Sequence, residues 1–187
     1  MMVILIYLGI ATLLIVCILS LIFSVAVVLS LFIEVPFLPS GKLFKKAIEY
    51  LEIKDGDKVL DMGSGDGRVL LYASAKYPDA SFVGIEKNVL LLIYSKMLAT
   101  FLGRRNLKFE CCDFNKYDIG SFDGIYMYLL PQYINKVMGR NISRMKSGCR
   151  VVSFKFPIGN THVLSNKIEK YSVEYMGEKE NIYRYMN

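Results

Sequence analysis

Histidine occurs once in the 187 residues, at His162, and cysteine only four times. A Ser/His/Asp triad would have to recruit that one histidine, which lies in the loop Gly159 to Ser165 with no partner in sequence, so a surface role is expected for it. Cys17, the adjacent pair Cys111 and Cys112, and Cys149 form neither a zinc spacing nor a disulfide framework, which agrees with a reducing compartment and points to no metal site. Internal repeats and low-complexity segments are also lacking. The most informative absence is charge: Glu34 is the first charged side chain of the chain.

An apolar helix needs about 20 residues to cross a bilayer, so residues 1–33 are long enough for a transmembrane anchor. A secretory signal would carry a basic start, a shorter apolar core and a small-x-small cleavage site. The first is missing and the core is too long, so an uncleaved anchor in the lipid bilayer is expected. Lys42, Lys45 and Lys46 follow the span and nothing basic precedes it, which predicts a single-pass protein with residues 34–187 on the cytosolic side.

All 23 Lys and Arg and all 17 Asp and Glu fall after the span, giving a formal charge of +6. Such a surplus attracts anionic lipid, nucleic acid or acidic proteins, and suits a solvated surface beside a negative membrane. Pro36 and Pro39 mark a short extended linker. Ser40 is expected to N-cap a helix with Leu43, Phe44, Ala47, Ile48 and Leu51 on one face. About 150 residues then remain, enough for one domain and too few for two.

Within that domain, strand-like and helix-like runs alternate. Strands are expected at Lys58 to Met62, Ser81 to Glu86, Leu107 to Cys112, Phe122 to Tyr128 and Arg150 to Phe156. Helices are expected at Arg68 to Tyr77, Asn88 to Leu102 and Gln132 to Lys146. This order predicts an α/β fold, a doubly wound, Rossmann-like parallel sheet. Ile168 to Tyr175 and Asn181 to Tyr185 alternate at period two around Gly177, which predicts a C-terminal antiparallel hairpin and seven strands in all. That count matches a seven-strand methyltransferase sheet. Asn141-Ile142-Ser143 fits a glycosylation acceptor by chance only, since it would be cytosolic.

Between the first strand and the first helix of the alternation runs Asp61-Met62-Gly63-Ser64-Gly65-Asp66-Gly67-Arg68. Gly63, Gly65 and Gly67 permit positive φ and let a helix N-terminus meet a polar group closely. Glu86 ends the second strand about 20 residues on, where this class of fold sets the carboxylate that binds ribose hydroxyls. The spacing G-x-G-x-G departs from the dinucleotide pattern, and Asp61 and Asp66 make a poor pyrophosphate cradle. Both suit a nucleoside with cationic groups, so S-adenosyl-L-methionine is the expected cofactor, held by Asp61, Gly63, Ser64, Gly65, Gly67 and Glu86. The bland alternative is a glycine turn that merely packs a strand on a helix. After the third strand, Asp113 could accept from an adenine amino group and Phe114 could stack on the base. After the fourth, Tyr128 is either a core tyrosine or an acceptor-site residue, with Pro131 close behind it.

The glycine block, Gly84-Ile85-Glu86, Tyr128-Leu129-Leu130-Pro131 and Val151-Val152-Ser153 followed by Phe156-Pro157-Ile158 together resemble a membrane-anchored family of seven-strand methyltransferases. That family has prokaryotic members and mitochondrial protein-lysine methyltransferases acting on the ATP synthase c subunit and the adenine nucleotide translocase. The resemblance implies lysine N-methylation of a membrane-associated protein, with Tyr128 and Pro131 positioning the acceptor. Phe154 and Lys155 stand where the family usually has polar or acidic residues. The alternatives are a small molecule or lipid acceptor, or a membrane-tethered module that binds the nucleoside without turnover. Nucleic acid is not expected, because the fourth strand lacks the Asn or Asp before prolines that holds an exocyclic amine.

Overall fold

The structure, a computed structural model, describes residues 2–30, 42–114, 116–159, 168–175 and 177–187. The chain divides into two units, Met1–Phe37 and Leu38–Asn187. Pro36, Pro39, Ser40, His162 and Ser165 lie outside the described residues, and with them the expected linker and helix cap.

The first unit is one helix, α1 (Met2–Ser30). Its segment Ile6–Val25 is long and apolar enough to cross a membrane. Two of its hydroxyls turn back onto the helix: Thr12 Oγ1 donates to the Leu8 carbonyl at 3.0 Å and Ser24 Oγ to the Ser20 carbonyl at 2.9 Å. Such bonds remove the polar groups that an apolar solvent would leave unsatisfied.

The second unit carries β1 (Lys58–Met62), β2 (Ser81–Glu86), β3 (Leu107–Cys111), β4 (Gly124–Met127), β5 (Arg150–Phe154), β6 (Ile168–Tyr175) and β7 (Glu178–Met186). They form one seven-stranded sheet in the order β3-β2-β1-β4-β5-β7-β6. The first five are parallel, while β7 runs antiparallel to both β5 and β6. This is the expected α/β sheet with its hairpin, and the second strand of that hairpin is the one inserted against β5.

Helices α2 (Phe44–Glu49), α3 (Arg68–Lys76), α4 (Val89–Phe101) and α5 (Pro131–Asn141) cover the sheet. Leu43, Phe44, Ala47, Ile48 and Leu51 are all buried, as their spacing predicts. Two elements end more than one residue earlier than their patterns suggest. The segment after α5 tightens into a 3-10 turn at Ile142–Arg144, and Asn141 before it is buried with its side-chain amide donating back to the Val137 carbonyl at 3.1 Å. That same burial removes Asn141 as a modification site. Strand β5 stops at Phe154 because Lys155 takes a φ of 72°.

The order of strands sets a switch point at β1. From β1 the chain steps outward through β2 to β3, then returns to the other side of β1 as β4. The loops leaving β1 and β4 therefore diverge at the carboxyl edge, the place where open α/β sheets take their ligands.

Candidate functional site

Register brings the glycine loop and Glu86 together. Asp61 pairs with Gly84 and Met62 with Ile85, so the chain leaving β1 passes directly over the end of β2. Gly63 and Ser64 both donate their N–H groups to the Ile85 carbonyl at 3.0 Å. The Gly65 N–H donates to Glu86 Oε2 at 2.9 Å, and the Asn88 N–H to Glu86 Oε1 at 2.8 Å. The carboxylate thus ties the loop to the start of α4, while each oxygen keeps acceptor capacity for a further donor.

The glycines do different jobs. Gly63, Gly65 and Gly67 all have positive φ. A Cβ on Gly67 would stand 2.6 Å from Phe109 Cζ and 2.8 Å from Ser95 Cβ, and one on Gly63 would stand 2.9 Å from Leu129 Cδ2. These two glycines let the loop settle onto Phe109 and Leu129, so close packing within the protein requires them. Phe109 on β3 and Leu129 after β4 thus shape the loop, a packing role that the sequence did not assign to them because both are distant from it in the chain.

The loop's two acids also differ. Asp66 is gripped by Arg68, with Nε 2.8 Å and Nη2 2.6 Å from Oδ2, and its Oδ1 also accepts from the Arg68 main-chain N–H at 3.1 Å. The expectation that Asp66 serves a cationic ligand therefore meets a carboxylate already ion-paired with its neighbour. Asp61 is only 2% exposed. Burial raises its carboxyl well above the usual range, and the charges of Glu86 and Asp66 push it further in the same direction. A positive group brought beside Asp61 would restore the charged form.

Asn88 caps α4, its Oδ1 accepting from the N–H groups of Leu90 and Leu91 at 3.0 and 3.3 Å. Its Nδ2 and the Ser64 hydroxyl are buried with no hydrogen-bond partner. Unpaired buried polar atoms flanking an acidic loop fit a polar ligand.

Asp113 and Phe114 follow β3, whose Cys111 pairs with Glu86, so they reach the same edge. Phe114 is buried, with its ring edge-on to Tyr133 of α5 at 6.3 Å. Tyr128 follows β4, whose Met127 pairs with Met62 on one side and Ser153 on the other. Its ring meets Phe154 edge-on at 5.1 Å and lies nearly parallel to Phe156 at 6.4 Å. Burial raises the Tyr128 hydroxyl above its ordinary range while the charge of Lys155 opposes it, so at neutral pH it is a hydroxyl and not a base. Pro131 is exposed and opens α5 as its first residue, a position its fixed φ favours.

Beside this aromatic group the chain makes a rare turn. The Phe156 N–H donates to the Phe154 carbonyl at 2.9 Å across Lys155, whose φ is 72°. That is a γ-turn of the strained kind, held by Ser153 Oγ donating to the Phe156 carbonyl at 2.6 Å and by Lys155 Nζ on Glu180 Oε1 at 2.6 Å. The Lys155–Glu180 pair joins residues 25 apart in sequence and had no signal there.

The model of the ANTKMT methyltransferase domain family matches residues 61–164. A lysine N-methyltransferase of Mus musculus named for the c subunit of ATP synthase is 29% identical over 124 residues, covering 65% of this chain and 49% of that protein. A protein-lysine N-methyltransferase of Saccharolobus islandicus is 29% identical over 132 residues, covering 67% of this chain and 79% of that protein. The chain spans about half the length of the vertebrate relatives it matches. An RNA methyltransferase from Salinibacter ruber, solved with S-adenosyl-L-homocysteine, superposes with a TM-score of 0.70 at 26% identity, over 80% of this chain and 93% of that one. With the matched segment running from the acidic end of β1 past β5, over more than half of the 187 residues, the chain belongs to the ANTKMT methyltransferase domain family.

Proposed function

We propose that the protein is a membrane-anchored methyltransferase that uses S-adenosyl-L-methionine to N-methylate a lysine of a membrane-associated protein. The observation that carries the cofactor is the Glu86 carboxylate, fixed by the Gly65 and Asn88 N–H groups at 2.9 and 2.8 Å at the end of β2. Glu86 would accept from the two ribose hydroxyls, and Asp61 would face the cationic part of the ligand. Asp113 and Phe114 would serve the base. The cofactor supplies an activated methyl group on a sulfonium.

The chain's own work is to present a neutral amine. A free lysine is deprotonated only in about one part in a few thousand at pH 7. Tyr128, Phe154 and Phe156 offer an apolar wall that disfavours the ammonium form, and the Tyr128 hydroxyl can orient the amine. Lys155 would repel an incoming cation, but Glu180 holds it at 2.6 Å. Orientation of this kind lowers a bimolecular barrier by roughly 7 to 11 kcal/mol without a strong base. The lysine acceptor is supported by the names of the relatives in mouse and Saccharolobus islandicus. Residues 1–33 would hold the domain, residues 34–187, at the cytosolic face of a bilayer.

The Salinibacter relative acts on RNA, which makes nucleic acid the second reading to test. Calorimetry on the full chain in detergent should give low-micromolar or tighter binding of S-adenosyl-L-methionine, with NAD at least a hundredfold weaker. Labelled methyl should then enter a membrane-protein fraction and resist nuclease. Tighter binding of NAD would overturn the cofactor, and label found in RNA would overturn the lysine.

A further inference from the structure

Helix α4 is apolar on its buried face and over most of its outer one, with Lys96 and Thr100 exposed along one edge. Its sequence, Val89 to Phe101, contains no acidic residue and one base, Lys96. Leu91, Leu92, Ser95 and Ala99 are buried against the sheet. On the outer side Val89, Ile93, Met97 and Phe101 recur every fourth residue with Tyr94 beside them, and all five are exposed, Met97 at 64% and Phe101 at 85%. A row of large apolar side chains exposed along a helix marks a surface that meets something other than water.

Charge says what that environment is. An open groove of about 640 Å³ runs beside the stripe between α4 and β3 and is lined by Lys96, Arg104, Arg105 and Lys108. None of these four is ion-paired among the described residues, and the Arg104 Nε is buried without a partner. The groove's one acid, Glu110, accepts from the Tyr117 hydroxyl at 2.9 Å. An apolar stripe flanked by unpaired cations matches the layers of an anionic membrane surface, acyl chains below and phosphates above. A second copy of the chain is a worse partner, because a twofold interface would set the same four cations against themselves.

We infer that the outer face of α4 docks on an anionic lipid bilayer, Val89, Ile93, Met97 and Phe101 entering the acyl boundary and Lys96, Arg104, Arg105 and Lys108 meeting headgroup phosphates. The docked face begins three residues after Glu86, so it fixes the cofactor loop close to the bilayer surface. The inference is separate from the anchor: flotation with vesicles reports on residues 1–33, whereas the contact of α4 is read locally.

The test uses the full chain with Cys17 changed to Ala and Cys111 and Cys112 to Ser, spin-labelled at Met97→Cys or Phe101→Cys. A label at Lys136→Cys on α5 is the reference, since right-handed crossovers set α5 on the opposite face of the sheet. In phosphatidylcholine vesicles containing phosphatidylglycerol, the ratio of oxygen to nickel-chelate accessibility at 97 and 101 should exceed that at 136 at least fivefold. The gain should drop at least threefold in phosphatidylcholine alone, or when the four cations are changed to Glu. Ratios at 97 and 101 equal to that at 136 in both vesicles would overturn the inference. So would dipolar broadening between labels without a gain in oxygen access, which would mean that a second copy covers the face.

Discussion

Asp61 and Glu86 are acids near the ends of neighbouring strands, yet they sit in different surroundings. Glu86 is held by two main-chain donors, and its replacement by Ala should remove charge-assisted bonds of roughly 1.5 to 3 kcal/mol each to the ribose. Calorimetry should therefore find cofactor affinity at least a hundredfold lower in Glu86→Ala, in a protein whose circular dichroism is unchanged. Unaltered affinity would move the site elsewhere. Asp61 holds its proton more tightly folded than unfolded, because burial and then Glu86 raise it. The stability it contributes is thus fully present below about pH 4, the unfolded value, and is lost as pH rises through the raised folded value. Asp61→Asn cannot ionise, so thermal melts from pH 5 to 8 should fall less steeply than for the parent. The same substitution should weaken S-adenosyl-L-methionine at least tenfold, and a variant that kept full affinity would show Asp61 to be a packing residue only.

At the scale of elements, the β1–α3 loop is built by packing as much as by conformational freedom. Gly67→Ala combines a left-handed φ with contacts at 2.6 Å to Phe109 and 2.8 Å to Ser95. Strain of about 1–2 kcal/mol adds to overpacking of about 1–3 kcal/mol. Gly56 has nearly the same φ, 81°, but open space around it, so Gly56→Ala should show only the first of these. Urea melts of the two variants separate packing from backbone strain, and equal losses would mean that the clash at Gly67 relaxes without cost. The tight turn at Lys155 illustrates a second kind of constraint. Lysine carries no local preference for a φ of 72°, and here Ser153, Asn181 and Glu180 impose it from three sides.

For the whole molecule, the proposed division of labour is an anchor in residues 1–33 and chemistry in residues 34–187. Deleting residues 1–33 should leave cofactor affinity within about twofold, since every proposed cofactor residue lies in Leu38–Asn187. Methylation of the native target in isolated membranes should fall at least tenfold. If the shortened protein methylated soluble extracts as well as the full chain methylates membranes, the anchor would be an address and no more. At about 1.5 Å per residue the 29 residues of α1 reach about 44 Å, against a hydrocarbon core of about 30 Å, so length does not limit this role.

What the residues alone determined was the periodic part. Alternation of apolar runs specified five parallel strands and a hairpin, and the uncharged start specified a helix long enough for a bilayer, because burial in a sheet or in lipid leaves a repeating mark on each segment. The glycine block and Glu86 were legible for the same reason: tight turns restrict residue type locally. Tertiary structure decided everything that depends on two distant segments meeting. It set Gly67 against Phe109. It gathered Phe154 and Phe156 onto Tyr128, and it matched Lys155 with Glu180 through the register of β5 and β7. It also turned the Val89, Ile93, Met97 and Phe101 row of α4 outward, since a helix with large apolar residues on two faces has a weak amphipathic mark in its sequence and the sheet beneath it chooses which face is left to meet something else.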